Sequence, residues 1–254
     1  MSPVQWSRLV RYIDTNGNTG YGEPQVSAGS DILQLAQDGK LQVKVLKGDS
    51  ALTATPTEEV QTVKTRLSPL TPQEVPIVRC IGLNYKTHIL ETGRPLPTCP
   101  TLSNATTKAN SPFSSANTQK NVSEASAMEY VAGYTVGNDV SARDWQREAG
   151  KAGPIRQWGF SKSFDKYAPI GPCLVAASVL GDANNLALST KVNGEERQSG
   201  NTADLCFGVK ALVAFCSQGQ TGLFMKPPTF LKDGDEVVVE IEGIGRIANR
   251  MAFE

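Results

Sequence analysis

Histidine is almost absent from this sequence: its 254 residues contain one, His88. A net charge is absent too, because 25 basic residues balance 25 acidic ones. A chain without a net field argues against nucleic acid or an anionic membrane as the main partner. No apolar run is long enough to cross a bilayer. What remains is an ordinary globular protein, for which 39% apolar and 20% charged residues are typical.

Paired cysteines are lacking as well. The five cysteines are odd in number, and no two have Cys-x-x-Cys spacing. Because Cys80, Cys173 and Cys216 lie in apolar stretches, we expect reduced, buried thiols in an intracellular protein rather than disulfides or a zinc site. The start, MSPVQWSRLVRYID, has no apolar run and predicts no signal peptide. We expect a cytoplasmic location, with a mitochondrial one as the alternative.

The first part of the chain has strand-like pieces separated by turn residues. LVRYI is followed by DTNGNTGYG, and LQLA is followed by QDGKLQVKVL, in which Asp-Gly predicts a hairpin. Residues 53–75 are rich in Thr and Pro, which predicts a connecting segment. We therefore place a small β-rich N-terminal unit and its linker at residues 1–70, and a core at residues 71–254.

The core begins with VPIVRCIGLNY, which predicts a buried strand ending at Gly82 and leading to a functional loop or short helix. Residues 101–126 differ, since fourteen of these 26 are Ser, Thr or Asn. We expect an irregular, exposed and mobile loop over residues 101–121. A Ser-capped helix and the strand YVAGYTVGNDV follow, and FLKDGDEVVVEIEG predicts a half-solvated terminal strand. The fold class is mainly β with some α.

His88 stands one helical turn before Glu91. Histidine titrates near neutral pH and is a usable base there. Glu91 could accept the imidazole N–H, fix the tautomer and raise the basicity, which would leave the other ring nitrogen to take a proton from water. Taken alone, such a pair is more often a surface or capping interaction.

Two further stretches carry candidate chemistry. GNDVSARDWQ places Asp139 at a strand end, where a carboxylate could ligate a hard divalent cation or could pair with an arginine in a turn. WGFSKSFDKYAPIGP places Lys162 between two serines. A partly buried ammonium there could stabilise a developing oxyanion, and the alternative is an exposed lysine on a loop.

In this order, IGLNYKTHILETG, YVAGYTVGNDVSARDWQ and WGFSKSFDKYAPIGPCLV resemble the fumarylacetoacetate hydrolase (FAH) family. VNGEERQSGNTADLCF and LKDGDEVVVEIEGIG resemble its downstream core, so the resemblance covers residues 77–98 and 122–254. It implies an FAH-type mixed β-sandwich roll, a homodimer and a small keto-acid substrate. It also implies Mg2+, or Mn2+ or Ca2+, in a hydrolase that cleaves a C–C bond in an acylpyruvate or fumarylpyruvate type of acid, or in an oxaloacetate decarboxylase.

The same resemblance implies roles for six residues. His88 resembles the general base, Glu91 resembles its orienting partner, and Asp139 resembles a metal ligand. Three further residues resemble the groups that hold the substrate or its oxyanion: Arg143, Gln146 and Lys162. The cation would stabilise the departing enolate, while His88 would activate the attacking water.

The sequence departs from the family pattern in two places. The family has two metal-binding glutamates, separated by one residue, before Asp139, but residues 92–123 contain no Asp or Glu. A Gly-Thr-Pro loop, whose threonine contacts the substrate carboxylate, is absent where QGQTGLF joins its flanks. One carboxylate holds Mg2+ poorly. Two hypotheses stay open: a metal-dependent hydrolase or lyase with weakened metal binding, or an inactive member, such as a splice or gene-model variant, that only binds or dimerises.

Overall fold

The protein divides into two compact units, residues 1–217 and 218–254. The structure is a computed structural model that describes residues 4–27, 29–75, 78–105, 113–115, 121–153, 157–165, 167–217, 234, 236–241 and 245–250. Within these ranges no helix has the length and apolar character that a membrane crossing requires. The boundary predicted near residue 70 lies inside the first unit and stays a prediction.

Strands dominate, and the helices are short. The strands are β1 Arg8–Asp14, β2 Thr19–Pro24, β3 Gln42–Lys47, β4 Thr55–Leu67, β5 Val78–Gly82, β6 Thr101–Ala105, β7 Phe113–Ser115, β8 Val131–Gly137, β9 Ile170–Ala176, β10 Ala187–Val192, β11 Glu195–Asn201, β12 Glu236–Ile241 and β13 Gly245–Arg250. The α-helices are α1 Ile32–Gln37, α2 Lys86–Glu91, α3 Asp144–Arg147, α4 Ala149–Ala152, α5 Ala177–Leu180 and α6 Val209–Ser217. Single 3-10 turns cover Pro72–Glu74, Ala127–Tyr130, Phe160–Lys162 and Thr202–Asp204. The predicted class, mainly β with some α, is confirmed.

One antiparallel sheet runs through the first unit, with the strand order β2-β3-β4-β1-β9-β8-β7. β1 connects the N-terminal strands of this sheet to the later ones. It pairs with β2 and β4 and also, through Leu9, with Leu174 of β9. Leu9 and Val10 are both fully buried but belong to different core clusters. Successive side chains of a strand point to opposite faces, so the sheet is covered on both sides at β1.

The hairpin predicted at LQLA and QDGKLQVKVL is wrong, because LQLA lies in helix α1. The Asp31 side chain caps this helix by accepting a hydrogen bond from the Gln34 amide at 3.0 Å. Gly39 follows the helix with φ +67°, the left-handed conformation that commonly ends helices. The Asp-Gly pair therefore joins a helix to β3 instead of joining two strands.

The connecting segment predicted at residues 53–75 is also largely wrong, since it contains β4, a strand of 13 residues. β4 pairs with β3 on one side and β1 on the other, and its Val63 is buried in the core. Threonine and valine branch at Cβ and fit extended backbone well. The Thr-rich composition that suggested a linker therefore suits a central strand equally well.

The irregular loop predicted over residues 101–121 is wrong in two places. β6 pairs with β5 from Thr101 opposite Gly82 to Ala105 opposite Val78, and β7 pairs with β8. Pairing with a neighbouring strand satisfies backbone amides whatever the side chains are, and composition does not report that neighbour. Residues 106–112 and 116–120 lie outside the described part of the chain.

Other strand predictions are confirmed. β1, β5, β8 and β12 all form where the apolar patterns place them. The predicted burial of β5 is wrong, because Cys80 is the one buried residue of this strand. The Ser-capped helix before β8 is a 3-10 turn at Ala127–Tyr130, and Ser126 makes no side-chain cap. All five cysteines are thiols, and Cys80, Cys173 and Cys216 are buried as predicted. Cys99 is exposed and Cys206 is half-buried.

Candidate active site

A clamp holds the chain between β5 and α2. The Asn84 amide group donates to the Phe207 carbonyl at 2.9 Å and accepts from the Phe207 N–H at 3.0 Å. The Asp204 carboxylate accepts from the Thr87 N–H at 3.1 Å, which satisfies an amide that a helix start leaves without an intrahelical partner. The start of α2 is thus fixed from residues more than a hundred positions away. Sequence reasoning missed Asn84, although it stands in the quoted stretch before His88.

His88 and Glu91 lie on the same helix, α2, which confirms that part of the prediction. Buried Ile89 anchors the helix between them. The His88 Nδ1 and Glu91 Oε2 atoms are 3.7 Å apart, and the two side chains are 64% and 68% exposed. This separation exceeds hydrogen-bond length, so the predicted hydrogen bond is not formed in this structure.

Asp139 and Lys162 meet although 23 residues separate them in the chain. Asp139 follows β8, and Lys162 ends the 3-10 turn Phe160–Lys162. The Lys162 ammonium donates to the Asp139 carboxylate and to the Ser141 hydroxyl, the latter at 2.7 Å. The Lys162 side chain is 14% exposed and the Asp139 side chain is 29% exposed. The alternative of an exposed loop lysine is therefore wrong. Ser141, two residues after Asp139, was not singled out in the sequence.

A second polar chain lies beside this pair. The Arg143 guanidinium donates to the Gln146 carbonyl oxygen at 2.8 Å, and the Gln146 amide nitrogen donates to the Ser161 hydroxyl at 2.5 Å. Ser161 in turn donates to the Trp158 carbonyl at 2.9 Å. Gln146 and Ser161 are buried, whereas Arg143 is exposed. Gln146 therefore holds Arg143 in place, while its predicted contact with substrate stays a prediction.

Cys80, on β5, is close enough to Asp139 and Lys162 for both charges to affect the pKa of its thiol. Burial raises the pKa of the Cys80 thiol, the negative charge of Asp139 raises it further, and the Lys162 ammonium opposes both. Both charges act on the thiol, so β5 passes close to them. β5 leads through the clamp into α2, which carries His88. The convergence of His88 with Asp139 and Lys162 stays a prediction.

The divalent cation implied by the resemblance is a poor match for these residues. Mg2+ needs an octahedron of oxygen atoms and gives up its water only to several carboxylates or to substrate oxygens. Asp139 offers one carboxylate, and that carboxylate already binds the Lys162 ammonium. Across the described ranges, no three His, Cys, Asp or Glu side chains group so that they could hold a metal ion. The described residues do not fit the predicted metal site.

Comparison with known proteins identifies the class. The sequence profile described as Fumarylacetoacetate (FAA) hydrolase C-terminal matches residues 114–252. The Xenopus laevis protein named oxaloacetate tautomerase fahd2, mitochondrial, is 33% identical over 98% of this chain and 91% of its own length. The human oxaloacetate tautomerase FAHD2A, mitochondrial, is 36% identical over 74% of this chain and 69% of its own. The chain belongs to the fumarylacetoacetate hydrolase family.

Solved structures have the same fold. A 5-carboxymethyl-2-hydroxymuconate delta-isomerase from Mycobacterium smegmatis superposes with a TM-score of 0.62 at 24% identity, covering 96% of this chain and 99% of that one. A fumarylacetoacetate hydrolase from Exiguobacterium antarcticum gives a TM-score of 0.54 at 25% identity, covering 97% and 99%. The FAH-type fold predicted by resemblance is confirmed.

The alignment with the Xenopus laevis relative is longer than the chain itself. It runs over 296 positions, whereas the chain has 254 residues, so at least 42 positions of the alignment are gaps in this chain. At least that many positions of the relative therefore have no counterpart here. This agrees with the expectation that pieces of the family pattern are absent.

Proposed function

We propose that the protein acts on a small oxo acid of the oxaloacetate type and interconverts its keto and enol forms. The observation that carries the proposal is the Lys162 ammonium, which is largely buried and is held by Asp139 and Ser141. Relatives named oxaloacetate tautomerase, 33% and 36% identical to the chain, support the substrate class.

Lys162 would stabilise the enolate oxygen. A lysine has three N–H donors, of which Asp139 and Ser141 take one each, and the third can donate to the substrate. A fixed ammonium in a partly desolvated site stabilises negative charge far better than the same group does in water. Asp139 keeps the ammonium in position.

Arg143 would bind a substrate carboxylate. Its planar guanidinium suits two parallel hydrogen bonds to a carboxylate, and it is exposed. Gln146 takes one of its N–H donors and fixes the side chain from the buried side. We propose that Gln146 acts on the substrate through Arg143.

His88 would move the proton. In tautomerisation, one proton leaves the carbon between the carbonyl and the carboxylate, and one proton joins the carbonyl oxygen. Because no bond between heavy atoms breaks, the reaction needs an acid–base group and a group that stabilises the negative charge of the enolate. In this proposal Nε2 of His88 faces the substrate, and Glu91, whose Oε2 lies 3.7 Å from Nδ1, has to move closer to orient the ring by a hydrogen bond.

Tautomerisation needs fewer catalytic groups than the C–C cleavage or decarboxylation that the resemblance implied. Those reactions expel a carbanion equivalent, and in the family a cation withdraws the charge. The described residues do not fit such a cation, so proton transfer at a held enolate is the reaction that this set of side chains supports best.

Location and assembly are part of the proposal. The names of the Xenopus laevis and human relatives contain the word mitochondrial, so we propose a mitochondrial location in preference to the cytoplasmic one. Organelle fractionation would test it, and recovery in the cytosolic fraction would contradict it. The homodimer stays a prediction that light scattering on purified protein can check.

The test is the decay of enol-oxaloacetate, followed by its ultraviolet absorbance with and without protein. We expect catalysis, and we expect Lys162→Met to lower kcat/KM by about 10²–10³-fold, the typical cost of losing an oxyanion donor. Lys151→Met is the matched control, because Lys151 pairs with Asp144 on the surface and lies outside the proposed machinery. A wild-type rate equal to that of buffer would contradict the proposal.

A second candidate is a protein that binds the oxo acid without turnover. The gaps of at least 42 positions against the Xenopus laevis relative favour it, because lost segments can carry substrate contacts. Oxalate, which resembles the enolate, separates the two. Saturable oxalate binding together with no tautomerisation would select this candidate over the first.

A further inference from the structure

We infer that Lys162 is the resident cation of this site: its ammonium occupies the carboxylate of Asp139 that a divalent metal would need. Two consequences follow. The site binds a small oxo-acid anion without metal, which rests on the proposed function, and removal of the ammonium opens Asp139 to a divalent cation, which does not.

The contacts of the ammonium carry the inference. Lys162 donates both to the Asp139 carboxylate and to the Ser141 hydroxyl. With 14% and 29% of the two side chains exposed, water screens this pair far less than a surface pair. An arriving metal ion would have to displace a positive charge that is covalently attached and already in contact.

The supply of carboxylates points the same way. Residues 92–123 contain no Asp or Glu, so this stretch offers no further acidic ligand. Among the described side chains, none of the groupings of His, Cys, Asp and Glu could hold a metal. A single carboxylate shared with an ammonium cannot supply what a hard cation gains from several oxygen ligands.

The charge balance of the cluster suits an anion. The charges of Asp139 and Lys162 cancel, and Arg143, joined to the residue before Lys162 through Gln146, adds one positive charge. The set has a surplus of positive charge. Such a surplus attracts the carboxylate and enolate oxygens of an oxo acid and repels a divalent cation.

The metal half is tested by titrating the intact protein with Mn2+ and measuring unbound Mn2+ by electron paramagnetic resonance. We compare wild type, Lys162→Met, and the double variant Lys162→Met/Asp139→Asn. Lys162→Met should bind Mn2+ at least about 10-fold more tightly than wild type, the lower end of what one partner of a metal site is worth. The double variant should lose that gain. Lys151→Met should match wild type, since it removes an ammonium from the exposed Asp144 pair.

Lys162→Gln serves as a second variant if Lys162→Met does not fold, because it also removes the charge and keeps a polar end. Saturable Mn2+ binding by wild type that Asp139→Asn abolishes would overturn the inference. So would equal Mn2+ binding by wild type and by the folded Lys162 variants.

The anion half is tested by calorimetry with oxalate in the presence of EDTA. Wild type should bind oxalate without metal, and Lys162→Met should bind it about 10-fold more weakly, the effect of losing one hydrogen bond to a charged group. Oxalate binding that appears only after Mn2+ is added would overturn this half. Absence of tautomerisation would contradict the proposed function and leave the Mn2+ comparison valid, so the two failures are distinguishable.

Discussion

Gln146 is a polar side chain that is 1% exposed, and its hydrogen bonds explain how it can be buried. It accepts from Arg143 and donates to Ser161, so both ends of its amide are satisfied. A buried polar group costs little when it is paired and much when it loses its partner. The residue therefore links stability to the orientation of Arg143.

We expect Gln146→Leu to lower the free energy of unfolding by about 1–3 kcal/mol, because Ser161 and Arg143 both lose a partner. If the variant is active, its KM for the oxo acid should rise more than its kcat falls, since Arg143 is less well held. Chemical denaturation and steady-state kinetics measure the two effects. Gln42→Leu, at an exposed position on β3, should change stability by less than about 0.5 kcal/mol. Equal losses in both variants would contradict the assignment.

Glu74 ties separate parts of the N-terminal strands together. Its carboxylate accepts from the Tyr21 hydroxyl at 3.0 Å, the Ala51 amide at 2.6 Å and the Thr71 amide at 2.7 Å. Burial by itself raises the pKa of Glu74, but these hydrogen bonds outweigh burial and hold the pKa below its ordinary value of 4.5. Burial, together with the hydrogen bond to Glu74 and the charge of that carboxylate, raises the pKa of Tyr21 to about 12.

Because the folded-state pKa of Glu74 is lowered, its carboxylate stabilises the fold fully above pH 4.5, and this stability is lost as the pH falls through the lowered value. We expect Glu74→Gln to be less stable than wild type at neutral pH, and the difference to shrink below pH 4.5. Urea denaturation over a pH series measures it. Glu124→Gln, at an exposed position, should leave the difference near zero throughout. A gap that stays constant with pH would refute the role of the charge.

At the scale of elements, Gly133 is a glycine that packing requires, and Gly150 is one that packing does not require. Gly133 lies in β8, where an added Cβ would stand 2.5 Å from the Val175 carbonyl oxygen of β9. Gly150 lies in α4, where an added Cβ would meet nothing within 4 Å. Strand β8 can therefore approach β9 only because residue 133 has no side chain.

Gly133→Ala should lower the free energy of unfolding by about 1–3 kcal/mol, the usual cost of forcing atoms into packed space. Gly150→Ala should raise it by about 0.5–1 kcal/mol, because alanine loses less backbone freedom in a helix. Thermal and chemical denaturation of both variants give the comparison. A stable Gly133→Ala variant would mean that β8 and β9 can move apart without cost.

In the whole first unit, β1 is the strand that joins the two halves of the large sheet. It stands between β4 and β9 in the sheet, so residues 1–70 and the later strands share one hydrogen-bonded layer. Trp6 also donates its ring N–H to the Ala51 carbonyl at 2.7 Å within the cluster that includes Leu174 of β9. The boundary near residue 70 stays a prediction, and the strands on its two sides complete one sheet.

We expect a fragment of residues 71–254 not to fold cooperatively by itself, because β9 would lose β1 and the core around Leu174 would be opened. Adding a separate fragment of residues 1–70 should restore a cooperative transition. Circular dichroism and denaturation of the fragments, alone and mixed, are the measurements, with the full chain as reference. Cooperative unfolding of residues 71–254 alone would prove the prediction wrong.

The sequence by itself determined the family, the strand-rich class, and the residues that carry charge near the site. Short runs of β-branched and other apolar residues at LVRYI and EVVVEI predict strands, because such residues fit extended backbone. The spacing of His88 and Glu91 predicts one helix turn because residues three apart share a face. The absence of acidic residues over 92–123 already limited metal binding.

Only the tertiary structure decided the points that depend on neighbours distant in sequence. β4 and β6 become strands because β1, β3 and β5 offer them backbone hydrogen bonds, which no local composition reveals. Asp139, predicted as a metal ligand by its motif, binds the Lys162 ammonium because the fold brings the segment after β8 to the 3-10 turn Phe160–Lys162. Local patterns report a residue's own conformational preference, whereas the partner of a buried charge is set by which elements fold against one another.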